Sequence, residues 1–447
     1  MTSRASFTLT CPLRLAKQGG RVEPRKGFTL IELLVVIAIL GTIAVAVVLV
    51  INPAELIKQA RDSTRLEDLG TINRILGLFQ ADQVDAFMGT SSIVYVSVPD
   101  TSATCVNLGL PTLPSGWSYA CAPTSTLQKA DGTGWIPVNL TAFSAGSPLS
   151  KFPVDPVNAT STGEYYAYVT GSSWELTAFL KSDKYKMGGG SDKASKDSGQ
   201  HPELYELGST LKLTPVTRDP SLVGYWKLDE TSGTLYDTSG HGNNGTQSGG
   251  VTYGATGKVG NALSFDGVDD YVSTILSPPS TVPVSVLLWI YPTDNTVSHC
   301  VVSRPPAGWF PLYGVCPYLS TNEVYNYTNG LYGLYLQTTE SYGAAMRVTS
   351  NVSPPNNTWS QVGFTYDGSS FTLFYNGQAT GKTLWCKTGG CNENQNYLSI
   401  SGSQTHSLGK ANDAWKSNLF QGSIDDIRIY NRALSAAEIS AIYSATQ

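Results

Sequence analysis

From Phe28 to Ile51 the chain runs for 24 residues with one charge, Glu32. At ~1.5 Å of helical rise per residue that is enough to cross a ~30 Å hydrocarbon core, so the segment predicts a membrane span. Six basic residues (Arg4, Arg14, Lys17, Arg21, Arg25, Lys26) precede it against one acidic residue, Glu23. By the positive-inside rule this holds residues 1–27 in the cytoplasm and sends everything after Ile51 outside. A lone carboxylate within a span is costly, about 2.5–3.5 kcal/mol at mid-helix, and calls for a partner from outside the segment.

The string KGFTLIELLVVIAIL resembles the N-terminal signature of type IV pilins and of the related pseudopilins of type II secretion systems. The resemblance implies a prepilin peptidase that cuts after Gly27 and methylates Phe28. It also implies that Glu32 pairs with the new amine of a neighbouring subunit as helices bundle into a fibre. Other pilin subunits, the peptidase and the membrane are then the expected partners. The protein is expected in the bacterial cell membrane before assembly and in an extracellular fibre or at the cell surface after it. Two other readings compete. An ordinary signal anchor does not need Gly-Phe-Thr-Leu-Ile-Glu in that order. A secretory signal peptide cut after Ala44-Val45-Ala46 would have Glu32 interrupting its apolar region.

A length of 447 residues suggests about three domains, and 41% hydrophobic with 14% charged residues is ample for cores in an extracellular, β-rich protein. Six of the 29 basic and one of the 34 acidic residues lie in 1–27, so the remainder carries about −10. That excludes nucleic acid as a main partner, which would need clustered Lys and Arg. The four His residues form no ligand-spacing motif. Outside the leader, six cysteines fall into three close pairs: Cys105 and Cys121, Cys300 and Cys316, Cys386 and Cys391. Local disulfides are expected outside a membrane, although six cysteines allow 15 connectivities and buried thiols are the alternative.

Pro53 is expected to bend or weaken the helix locally. Beyond it Leu66, Leu69, Ile72, Leu76 and Phe79 recur at helical spacing, with Arg61, Asp62, Arg65, Glu67, Asp68 and Arg74 between them. That pattern predicts an amphipathic second half to residue 80. Residues 81–212 read as a small head, with strand candidates at 91–98, 164–169 and 173–180 and a loop bracketed by Cys105 and Cys121. FPVDPVN, EYYAYV and WELTAFL resemble the major-pseudopilin type of head, some members of which bind calcium in a C-terminal loop. The corresponding stretch here is 186–200, where Asp192 and Asp197 read more simply as solvated loop residues. Residues 213–220, with two prolines, are the expected linker.

From Ser221 to the end, VGYWKLDETSGTLYDTSGHGNNGT, KVGNALSFDGVDDYV, WSQVGFTYDGSSFTLFYNGQATG and FQGSIDDIRIYNRALSAAEISAIY together resemble the concanavalin A-like, laminin-G-type jelly roll. Val284, Val286, Leu288 and Ile290 alternate as a half-buried strand; Asp367-Gly368 and Asn376-Gly377 are hairpin signals. Ser435 and Glu438 make a capping box opening a final helix. Trp309, Phe310 and Tyr313 within the first cysteine-bracketed insert, and Trp385 beside the second, either stack on sugar rings or pack their loops. Asp237, Asn243, Asp266, Asp269 and Asp425 occupy segments that carry calcium in some relatives; the alternative is that Asp266 and Asp425 cap turns. No Glu-x-Asp-x-x-Glu strand, G-x-S-x-G elbow, HExxH or P-loop is present, so a binding module is expected rather than an enzyme, with a polysaccharide hydrolase as the lesser alternative.

The fold class expected is α+β: a long transmembrane helix, 28–80 with its span at 28–51, packed on an antiparallel-sheet head (81–212). A linker (213–220) joins the head to an all-β sandwich (221–447). Two functions are compatible with that layout. The first is a minor or tip subunit displaying a lectin-like domain that adheres to glycan or protein. The second is a secretion or DNA-uptake pseudopilin whose extra domain recruits cargo.

Overall fold

The computed structural model describes residues 29–83, 85–171, 173–276, 283–294, 301–304, 313–319, 331–337, 345–386, 404–410 and 419–447. Only the backbone is described at 44–51, 275–276, 303–304, 313–319, 331–337, 345–347, 384–386 and 404–406. Two compact units result, Met1–Ala54 and Glu55–Gln447. In the first, α1 (Leu30–Ile51) is continuous and Leu30 to Leu40 are largely exposed. Its side chains are described only as far as Ile43, and among the described residues no helix is long and apolar enough to cross a membrane.

A second helix, α2 (Pro53–Asp82), begins after Asn52, whose φ is 43°. Pro53 therefore opens a helix, where its missing N–H is no loss, instead of bending one from within. Leu69, Ile72, Ile75, Leu76 and Phe79 are buried against the head, each worth about 1.5–3 kcal/mol of transfer free energy. The helix does not divide into apolar and polar faces as expected, because Asp62 and Arg65 are also fully buried. Arg65 reaches Asp155 at 2.6 and 2.9 Å, Asp62 at 2.7 Å and Glu164 at 2.9 Å. Asp62 in turn accepts the backbone amides of Lys181 and Ser182. The Asp-Pro element of FPVDPVN and the first residue of EYYAYV thus hold α2 through one guanidinium.

The head sheet has five strands, β1 (Ile93–Val96), β2 (Ser118–Ala120), β3 (Ala167–Thr170), β4 (Trp174–Ala178) and β5 (Tyr205–Gly208), in the order β2-β1-β3-β4-β5. It is antiparallel except for β1 and β2, which pair in parallel. The long connection between them permits this, and a Cys105–Cys121 disulfide with Cα atoms 5.5 Å apart closes it.

Two further sheets form a sandwich. One runs Lys382–Cys386, Ala345–Ser350, Leu331–Gln337, Tyr313–Leu319, Val302–Arg304, Gln404–Leu408, Tyr271–Leu276 and Gly245–Ser248. The other runs Gln378–Ala379, Phe371–Tyr375, Ser360–Tyr366, Val284–Pro292, Gln421–Tyr430, Asn261–Asp266 and Thr252–Thr256, with Leu222–Trp226 also paired to Gln421–Tyr430. Val286, Leu288, Ile290, Phe364 and Trp226 fill the space between the sheets. Val284–Pro292 is buried on both faces rather than half-buried as its alternation suggests. The reason is α3 (Ala436–Ala445), which lays Ile439 and Ile442 on Leu287 and stacks Tyr443 on Trp289. Ser435 and Glu438 form the capping box that starts this helix. Asn376 and Gly377, at φ 47° and 74°, make the tight hairpin turn before Gln378.

Candidate functional site

Three places carry side chains with chemistry to offer: the start of α1, the acidic loops of the sandwich, and the surface where head and sandwich meet. Gly27 and Phe28 lie outside the described residues. Glu32 is exposed and caps its own helix: Oε2 accepts from the Thr29 amide and hydroxyl, both at 2.8 Å, and Thr29 Oγ1 accepts from the Glu32 amide at 3.3 Å. This capping box engages Oε2 and leaves Oε1 open to a further donor.

The five expected calcium ligands do not form one site. Asp237 is buried, taking the amides of Tyr225 and Ser239 on one oxygen and of Asn243 on the other, while Asn243 donates to the Val223 carbonyl. Asp425 lies where Gln421–Tyr430 changes partner between Asn261–Asp266 and Leu222–Trp226. There Asp426 adopts φ 50°, and Asp425 Oδ2 accepts the amides of Lys258 and Val259. Burial, with Asp426 adjacent, pushes the Asp425 carboxyl up to about 8. Among the described residues one acidic group has its ligand atoms within 4.8 Å of one another, Asp266, Asp269 and Asp270. Half of its six carboxylate oxygens accept hydrogen bonds. Asp266 Oδ1 accepts from Val268 and Asp269, and the two Asp270 oxygens accept from Gly250 and Asp266. Three carboxylate oxygens remain, part of the six to eight oxygen ligands that calcium takes, the rest of which backbone carbonyls and water can supply.

Loop 186–200 has the same character. Asp192 is buried rather than solvated, accepting from Gly188, Ser195 N and Ser195 Oγ, and Asp197 accepts from Gly199 and Glu206. Of the binding aromatics, Trp309 and Phe310 lie outside the described residues, and Tyr313 and Trp385 occupy strands whose side chains are not described. Cys300 and Cys391 also fall outside, so nothing is fixed for Cys316 or Cys386.

The head and the sandwich meet through buried charge that sequence reasoning missed. Arg428, 1% exposed, donates to Glu203 at 2.8 Å and to the Tyr225 hydroxyl at 2.8 Å. Tyr430 donates to the same Glu203 oxygen at 3.0 Å, and Asp426 lies 3.4 Å from Arg428 Nε. Lys227 donates to Gln200, and the His201 ring meets Tyr225 edge-on. A second contact joins Thr112 N to the Gly240 carbonyl at 2.8 Å, beside Pro111 in the loop closed by Cys105 and Cys121. A third packs Gly188 against the first turn of α3. The connection 213–220 is not a free tether, since Val216, Thr217, Arg218 and Asp219 are buried and Arg218 reaches the Tyr165 carbonyl.

Residues 24–48 match the family model of the prokaryotic N-terminal methylation motif. Residues 266–440 match that of the concanavalin A-like lectin/glucanases superfamily, Laminin_G_3. The sandwich begins before that match, because Leu222–Trp226 is one of its strands. No curated protein matches the chain. Among solved structures, domain 4 of AbnA, a GH43 extracellular arabinanase from Geobacillus stearothermophilus in complex with arabinotriose, is 19% identical. The match covers 51% of this chain and 98% of that one at a TM-score of 0.38. The receptor binding domain of botulinum neurotoxin C/D mosaic serotype is 16% identical, with 50% of this chain and 51% of that one covered at 0.37. The native heptameric SAP-like pentraxin from Limulus polyphemus is 16% identical, with 42% and 84% covered at 0.34. The chain thus spans about half of the neurotoxin chain, and likeness at these scores assigns neither ligand nor activity.

Proposed function

We propose that this chain is a surface-displayed binding subunit of a type IV pilin-like fibre, at a minor or tip position, whose jelly roll adheres to glycan or protein without turning it over. The observation that carries the reading is the order of parts on one chain. A methylation motif at 24–48 precedes a concanavalin A-like domain at 266–440, with a head between them. The apolar stretch 28–51 anchors the subunit in the membrane until Glu32 pairs with a neighbour's amine in the fibre. Fusion of head and sandwich into one compact unit supports display at a fixed geometry. A domain of some 225 residues on every subunit would crowd a tightly packed fibre, which supports the tip position. Mass spectrometry of the mature N-terminus tests the assembly half: N-methyl-Phe28 is expected, and a chain starting at Val47 overturns it. Stoichiometry in sheared fibres tests the position, abundance along the length refuting a tip role. The second reading, a secretion pseudopilin that recruits cargo, rests on the likeness of 152–180 to the major-pseudopilin head. Lost export in a deletion strain with adhesion intact would replace the first reading by it.

A further inference from the structure

Beside the Arg428–Glu203 pair lies a cleft of about 330 Å³, where the head, the connection at 219–221, Arg432 just after the last strand and Glu438 of the final helix converge. Phe179, Lys181, Met187, Glu203, Asp219 and Arg432 are among the residues that line it. Most of its charge is spent. Arg432 is bidentate on Glu438, at 3.0 and 2.8 Å, and donates to Ser221 Oγ; Lys186 pairs with Asp183 at 2.8 Å.

Two valences of opposite sign are left open. The Lys181 ammonium lies 4.0 Å over the Phe179 ring, and among the described residues no hydrogen bond or ion pair engages it. Glu203 is 2% exposed; Oε1 serves Arg428 and Tyr430, and Oε2 is buried with no partner. Asp219 adds an oxygen 3.9 Å from Arg432, its other oxygen being held by Ser221. An unpaired buried carboxylate oxygen is expensive unless something donates to it. Clefts at domain junctions with apolar walls and a few convergent polar groups are where small ligands bind.

The chemistry narrows the occupant. Three cations and three carboxylates line the cleft, so a polyanion or polycation meets as much repulsion as attraction. A sugar ring finds no open aromatic face, since Phe179 is buried beneath Lys181. We infer that this cleft binds a small zwitterion, an α-amino acid with an apolar side chain. Its carboxylate meets Lys181, its ammonium meets Glu203 Oε2 and Asp219, and its side chain lies against Leu180, Met187 and Pro220. The site is separate from the jelly-roll loops and does not depend on what those loops bind.

The test is calorimetric titration of the full-length protein in detergent with L-leucine, L-leucine methyl ester and N-acetyl-L-leucine. Saturable 1:1 binding of leucine is expected, with each blocked form at least about tenfold weaker, because each lacks one of the two charges. Lys181→Met should lose about tenfold in leucine affinity with a melting temperature within about a degree or two of wild type. The ammonium makes no hydrogen bond or ion pair among the described residues, and its ring contact with Phe179 is kept by the Met side chain. Asp219→Asn should weaken leucine more than its methyl ester is weakened by Lys181→Met. No saturable binding up to ~10 mM, equal binding of the blocked forms, wild-type affinity in Lys181→Met, or displacement of leucine by glucose or glucuronate would each overturn the inference.

Discussion

Replacing Arg428 with Met asks whether head and sandwich are held by their buried ion pair or merely packed together. The substitution keeps most of the side-chain volume and removes the guanidinium. Glu203 is then left fully buried with only Tyr430 donating to it. Removing one partner of a buried pair costs about 3–5 kcal/mol, most of it from the charge left behind. For the unit 55–447, about 390 residues, an unfolding entropy of ~2.1 cal/mol/K per residue makes 1 kcal/mol worth about 1.2 °C. A fall of roughly 4–6 °C is therefore expected on scanning calorimetry of the full-length protein, with the single transition separating into two as head and sandwich uncouple. Adding Glu203→Leu removes the orphaned charge, so the double variant should recover at least half of the loss. If Arg428→Met shifts the transition by less than ~1 °C, or the double variant is the sum of the two singles, the network is not what couples the domains.

Stability should fall as pH rises from about 4 to 8. Burial lifts Asp197 to about 7 and Asp425 to about 8, far above the ~3.9 of an unfolded Asp. The folded state holds protons that the unfolded chain releases, so their contribution is complete below ~4 and is lost as pH climbs through the folded values. Melting at pH 5 and pH 8 reads this; Asp425→Asn should flatten the decline, and a melting temperature that rises across the interval contradicts it. Gly188→Ala should destabilise by more than 1 kcal/mol in denaturant titration, because φ is +70° and a Cβ would stand 2.6 Å from the Glu438 amide at the start of α3. Gly190→Ala, with nothing within 4 Å, serves as its control and should be near neutral. A chelator tests the acidic group at Asp266, Asp269 and Asp270: a shift in melting temperature below ~1 °C is expected if the turn hydrogen bonds alone hold that loop, and a larger fall would show that an ion organises it.

What was legible in the sequence was local. The capping box at Ser435, the Asn376-Gly377 turn and the alternation at 284–290 need only near neighbours, and each specifies its element. The charged residues were misplaced because their environment is made by distant segments. Asp62 and Arg65 sit at helix positions that look solvent-facing, and become core only when Asp155 and Glu164 arrive from ninety or more residues away. Arg428 alternates with Ile427 and Ile429, so the pattern alone assigns it to an open face. A residue from the head, Glu203, covers that face. The acidic residues taken for metal ligands show the same limit in reverse, because a carboxylate in a turn looks identical in sequence whether it holds an ion or an amide. At Asp237 both oxygens take backbone amides, and at Asp425 one oxygen does.

On the proposed reading as a fibre subunit, that pattern bears on behaviour under load. A fibre subunit is pulled along its length when its displayed domain holds a surface, and a flexible linker would let that domain swivel. Here the connection is buried, and the contacts at Thr112–Gly240, Glu203–Arg428 and Gly188–Glu438 lie at three separate positions in the head sequence. These contacts tie the sandwich to the head at more than its covalent connection. A sandwich held this way transmits tension to the head and to α2 through Arg65 instead of absorbing it in the linker. Force spectroscopy on the full-length protein should then show head and sandwich yielding together, and Arg428→Met should give an early, separate event.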